Sequence, residues 1–129
     1  MLLDLHSHSR RLGTFFYANA APPGSLARVF PLLVAKKDPR FDWKGNRFGG
    51  GSSLTARKVL GDLLKTPLVY TVESSFFGYQ KEGDFKIIPY QPQDYREMAV
   101  SILSAFAEVS HSKEQSLQDH RILLGPPQE

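Results

Sequence analysis

Hydrophobic and polar positions along this chain switch between a period near two and a period near four, and each switch marks an element. Leu2, Leu3 and Leu5 form a short apolar run suited to a strand buried on both faces, ending in His6-Ser7-His8-Ser9. A basic turn, Arg10-Arg11-Leu12-Gly13, leads to a second predicted strand around Phe15-Phe16-Tyr17. Ser25 is placed to cap a helix in which Leu26, Val29, Phe30, Leu33 and Val34 keep helical spacing, and Pro31 is expected to kink or divide it. Residues 38–53 read as a loop, with Pro39, Asn46 and four glycines, anchored by Phe41, Trp43 and Phe48. Thr55 begins a second helix through Arg57, Val59, Leu60, Leu63 and Leu64, which Pro67 stops before a β-rich run over 67–73.

Residues 80–92 predict a polar loop around a short strand, Phe85-Lys86-Ile87-Ile88. Asp94 and Glu97 have capping-box spacing, and Tyr95, Met98, Ala99, Ile102, Ala105, Phe106 and Val109 trace one apolar helix face, read as core packing. Beyond Ser110 the pattern fades into a polar tail, 111–129, with one small apolar docking patch at Ile122-Leu123-Leu124. Strands and helices interleaved in this way predict an α/β fold with one domain over residues 1–110 and no internal repeats.

Composition narrows the class. At 129 residues and 41% hydrophobic the chain can bury a single core, and without cysteine it has no disulfides or thiolate metal ligands. No apolar run reaches the roughly 20 residues that span a bilayer, and Met1-Leu2-Leu3-Asp4 lacks the basic and apolar regions of a signal peptide. The expectation is a soluble cytoplasmic protein with no membrane partner. The net charge of +3 conceals an asymmetry, about +8 over residues 10–65 against −4 over residues 66–129. Such a basic region attracts acidic partners. A glutamate-rich tail fits such a field and so would nucleic acid, but no nucleic-acid motif, zinc knuckle or aromatic stacking signature accompanies it, and the plainer reading of most of these charges is solvated surface.

Chemistry concentrates where two strands run out. His6 and His8 follow the first apolar run and Glu73 ends the run 67–73, which could bring an imidazole and a carboxylate into one crevice at the carboxyl ends of the strands. Alternation points both histidines to one side, but they diverge as the strand ends, so one metal ligand at most is expected of the pair. The plainer readings are surface histidines, a Glu73 paired with Arg57 or a lysine, and an Arg57 solvated on its helix. Arg57 falls in the first turn of that helix, where the dipole disfavours a cation, and this suggests another use.

Leu3-Asp4-Leu5-His6-Ser7-His8-Ser9 resembles the LDLHGHS signature of zinc carboxypeptidases, in particular their cytosolic branch, the tubulin deglutamylases. The likeness continues in order. Thr14-Phe15-Phe16-Tyr17-Ala18 looks like the family's next strand, Leu26-Ala27-Arg28-Val29-Phe30-Pro31 is similar to its R-x-F-P helix, Thr55-Ala56-Arg57-Lys58 to GTGR, and Tyr70-Thr71-Val72-Glu73-Ser74-Ser75-Phe76 to YTLExSF. It spans roughly residues 2–110 and only the second half of the family's catalytic domain.

The resemblance implies half of a carboxypeptidase-like mixed sheet with flanking helices. It further implies His6 as a zinc ligand, Glu73 as the general base, and Arg57 as the group that selects a glutamate side chain, a task a bidentate guanidinium suits. The reaction implied is removal of C-terminal glutamates from acidic tails such as that of tubulin. The family's other two zinc ligands lie in an H-x-x-E motif upstream of LDLHGHS, so another chain or a missing N-terminal half is expected to complete the domain. His111-Ser112-Lys113-Glu114 has the same letters in the wrong order along the chain. Leu54 and Ala56 replace the GTGR glycines, and no tyrosine lies between Tyr17 and Tyr70 where the family carries one that closes on substrate; Phe48 is the nearest aromatic. These departures leave open a catalytically degenerate, structural or microtubule-associated module.

Overall fold

The computed structural model describes residues 1–111. Strands β1 (Leu2–His8), β2 (Thr14–Ala18), β3 (Arg47–Phe48) and β4 (Val69–Ser75) form one mixed sheet in the order β1-β4-β2-β3. β1 runs parallel to β4, β4 antiparallel to β2, and β2 parallel to β3. Helices α1 (Leu26–Lys37), α2 (Ala56–Leu63) and α3 (Pro92–His111) flank the sheet, and β5 (Gly78–Tyr79) pairs with β6 (Ile88–Pro89) in a separate ribbon.

Alternation along the strands assigns the two faces. Phe16 and Ala18 of β2 and Tyr70 and Val72 of β4 share a face, where they pack with Val29, Phe30, Leu33 and Val34 of α1 and Met98, Ile102, Ala105 and Val109 of α3. Phe16 stacks on Phe30 with ring centroids 5.4 Å apart and meets Phe41 edge-on at 4.8 Å. On the opposite face lie Asp4, His6 and His8 of β1, Thr71 and Glu73 of β4, and Phe15 and Tyr17 of β2.

Several sequence expectations change here for physical reasons. β1 is an edge strand with Leu5 73% exposed, so its apolar run marks an open edge and not a strand enclosed on both sides. Pro31 does not divide α1. Its missing N–H would have served the Ala27 carbonyl one turn back, and the Tyr70 hydroxyl donates there instead at 3.0 Å. Ser25 occupies the N-cap position of α1 but makes no capping bond, and its hydroxyl is buried without a partner among the described residues. Thr55 does cap α2, its Oγ1 accepting from the Lys58 amide at 3.3 Å. Val59 and Leu63 of the expected stripe on α2, and Leu64 just after it, stay exposed. The 38–53 segment contains a 3-10 turn at Trp43–Gly45 and β3, and the expected strand around Phe85 reduces to Ile88–Pro89, with Phe85 itself exposed.

α3 begins earlier than the capping-box spacing implied. Pro92 takes the first helical position and Asp94 Oδ2 accepts from the Gln91 amide at 2.8 Å, while Glu97 turns away to Arg40. His111 closes α3, its Nδ1 donating to the Ala107 carbonyl at 2.7 Å. The remaining residues of the H-x-x-E string and the Ile122-Leu123-Leu124 patch lie outside the described residues. No helix of the described residues is long and apolar enough to cross a membrane.

Candidate functional site

Parallel pairing of β1 with β4 places His6 directly opposite Glu73, and the antiparallel pairing of β4 with β2 adds Phe15 to the same row. Residues opposite one another across neighbouring strands share a face, so imidazole and carboxylate stand side by side. The next row holds Asp4, Thr71 and Tyr17. Both rows lie on the face away from α1 and α3.

His6 and His8 differ in what binds them. His8 Nδ1 accepts the backbone N–H groups of Arg10 and Arg11 at 3.0 and 3.1 Å, and its ring packs edge-on against Phe15. His8 therefore holds the turn after β1. His6 is exposed, and its Nε2 donates to Asp4 Oδ2 at 2.9 Å, which leaves Nδ1 without a protein partner among the described residues. A carboxylate on one ring nitrogen fixes tautomer and orientation for a ligand at the other. The LDLH pattern contains this aspartate two residues before the histidine, a separation that puts both on one face of a strand.

Glu73 is half-buried and forms no ion pair or side-chain hydrogen bond among the described residues, which removes the reading that paired it with Arg57 or a lysine. The end of β4 is held firmly below it. Tyr95 donates its hydroxyl to the Ser75 carbonyl at 2.7 Å, and Ser75 Oγ accepts from the Phe77 amide at 3.0 Å.

Arg57 is 9% exposed, so it is not a solvated helix arginine. Its Nε donates to Asn19 Oδ1 at 3.2 Å, and the Tyr17 phenol lies near enough to act on it electrostatically. Burial lowers its pKa from the ordinary arginine value. No carboxylate lies within ion-pair distance of the guanidinium among the described residues, and its outer nitrogens make no hydrogen bond there and are not themselves buried. Asn19, which stabilises this arrangement from 38 positions away, carries no signal in the sequence.

Phe48 sits under the Arg28 guanidinium, 4.3 Å from its ring centroid, and packs near Trp43. It belongs to the packed body and has no hydroxyl to offer.

Catalytic zinc takes three protein ligands and keeps one position for water. Among the described residues no three His, Cys, Asp or Glu side chains converge on one point. His6, backed by Asp4, fits as one ligand, but the described residues do not by themselves fit a catalytic zinc centre.

No protein-family model matches this chain, and no curated protein matches it. A solved structure does. The chain is similar to a metallo-carboxypeptidase from Burkholderia cenocepacia, with a TM-score of 0.64, 14% sequence identity, and coverage of 85% of this chain but 30% of that one. The mixed sheet with its flanking helices is thus a metallocarboxypeptidase-like fold that spans less than a third of that protein's length.

Proposed function

We propose that this chain is one part of a zinc metallocarboxypeptidase of the cytosolic branch, which removes C-terminal glutamates from acidic protein tails such as that of tubulin in the cytoplasm. The observation that carries the reading is the row His6–Glu73, an imidazole and an unpaired carboxylate opposite one another on one sheet face. Arg57, little exposed and with no carboxylate partner among the described residues, supports it, because an anionic side chain is the natural counterpart of such a cation.

In this reading His6 is one zinc ligand, and the others come from outside the described residues, on another chain or on the N-terminal half that the family places before LDLHGHS. Glu73, with no protein partner holding it, takes a proton from the attacking water and returns it to the leaving amine. Arg57 grips the carboxylate of the glutamate side chain. The open edge of β1 is where an incoming strand would pair, next to His6.

The test is a polyglutamate peptide against the full chain, alone and with a polypeptide carrying the H-x-x-E ligands, in zinc and in chelator. The expected result is binding that Arg57→Gln removes, and glutamate release that needs zinc and the second polypeptide. Glu73→Gln should abolish release and keep binding. Equal binding of polyglutamate and polyglutamine would overturn the reading. The second reading is a degenerate carboxypeptidase-like structural or microtubule-associated subunit, favoured by the absence of a three-ligand cluster among the described residues and by the packed Phe48. It predicts chelator-insensitive binding and no release with any complement.

A further inference from the structure

Asn19 lies just beyond β2 and spends both ends of its amide on one residue. Its Nδ2 donates to the Arg57 carbonyl at 3.1 Å while its Oδ1 accepts from Arg57 Nε at 3.2 Å. The first bond ties down the backbone of the first turn of α2, and the second fixes the inner edge of the guanidinium. Four of the five guanidinium N–H donors remain on the two outer nitrogens. They have no carboxylate partner among the described residues, although the side chain is 9% exposed.

A second, independent observation comes from α2 itself. Gly61 stands inside this eight-residue helix, where glycine is a poor helix former. A Cβ added there would collide with Asn19 Nδ2, so the glycine leaves the room that the amide occupies. The helix accepts a weak residue at one position and a buried cation at another, and both converge on Asn19. A guanidinium this little exposed adds no stability without a counter-ion, and the described residues supply none.

We infer that Asn19 is the positioning residue of an anion receptor: it holds Nε of Arg57 so that the two outer nitrogens present a fixed, planar fork to one carboxylate, that of an acidic side chain near the end of a peptide. This rests on the reading that Arg57 receives the acidic side chain. A guanidinium pinned at one edge loses less freedom when it forms two parallel bonds, so the amide raises affinity without touching the ligand.

The experiment measures binding of a polyglutamate peptide to the full chain, with thermal stability recorded for every variant. Asn19→Ala, which frees the fork while Arg57 keeps its charge, is the decisive substitution. The positioning role predicts polyglutamate binding weakened by about tenfold or more with polyglutamine binding unchanged, whereas a purely structural role lowers both together with Tm. Gly61→Ala, which displaces the amide, should act in the same way, and it decides the matter if the alanine variant at Asn19 fails to fold. Loss in Arg57→Gln together with wild-type binding in the Asn19 and Gly61 variants would overturn the positioning role and leave the substrate reading standing. Wild-type binding in Arg57→Gln would remove that reading, and this inference with it.

Discussion

Pro31 and Tyr70 show how one residue can make another tolerable. A proline inside a helix removes a donor, and in α1 the carbonyl left waiting is that of Ala27, buried beneath the sheet. Tyr70, fully buried on β4, reaches across 43 positions to donate its hydroxyl there, and burial raises its pKa well above that of an ordinary phenol, so it stays a donor. Tyr70→Phe keeps the ring stacking but orphans the carbonyl, and should cost about 1–3 kcal/mol, read as a lower urea midpoint with an unchanged slope. Pro31→Ala supplies a helical N–H to the same carbonyl. In that background Tyr70→Phe should cost distinctly less, and additive losses in the double-mutant cycle would show that the two residues act separately.

At the scale of elements, Arg40 fastens α1 to α3. Its guanidinium holds both oxygens of Asp38, the 1%-exposed residue that ends α1, and reaches Asp94 and Glu97 in the first turns of α3, all at 2.8 Å. Asp94 is held below the usual carboxylate range first by the Gln91 amide and then by Arg40, and Glu97 first by Gln93 and then by Arg40. Carboxylates with depressed folded-state pKa values contribute stability that is present above their unfolded values, about 4, and is lost as pH falls through the folded ones. Tm should therefore drop on acidification below about pH 4. Arg40→Met should lower stability at pH 7 by roughly 3–5 kcal/mol, because Asp38 is left charged and buried. The same substitution should flatten the acid limb of a Tm–pH curve, since it relaxes Asp94 and Glu97; an unchanged limb would assign the pH dependence to other groups.

This network also marks how far the elements could be read from the letters. The core face of α3 was visible as a 3.6-residue period, and Met98, Ile102, Ala105 and Val109 lie on it. Its start was not, because Glu97 has capping-box spacing yet is claimed by an arginine 57 positions away, while Pro92 at the first helical position was the better signal. The same distinction holds at the site. Period-two alternation was enough to put His6 and His8 on one side of β1, but the row that joins His6 to Glu73 depends on strand register, which no local pattern encodes. Asn19 under Arg57 depends on α2 packing over the end of β2 and was invisible for that reason. The stripe on α2 misled in the opposite sense, since helical periodicity reports an apolar face without reporting what covers it.

For the whole molecule, the feature that calls for explanation is the edge at β1. Among the described residues these seven positions of extended chain have a neighbour on one side only, and the strand contains no proline and no lysine to blunt the other. Leu3 packs against the core while Leu5, two residues on and on the same face, is 73% exposed, and Val100 and Leu103 of α3 are exposed as well. The structurally similar metallo-carboxypeptidase is a longer chain, of which this fold covers 30%. A strand that pairs with β1 would satisfy the free backbone groups and cover Leu5 in one step, and another copy of the chain can supply one. Concentration-dependent association of the purified chain is the expected consequence, visible in sedimentation velocity. Leu5→Lys should suppress it while moving the urea midpoint little, by about 0.5 kcal/mol or less, because the side chain contributes almost nothing to the packed core. Association that persists in this variant would locate the sticky surface elsewhere, with the exposed leucines of α2 the next to replace.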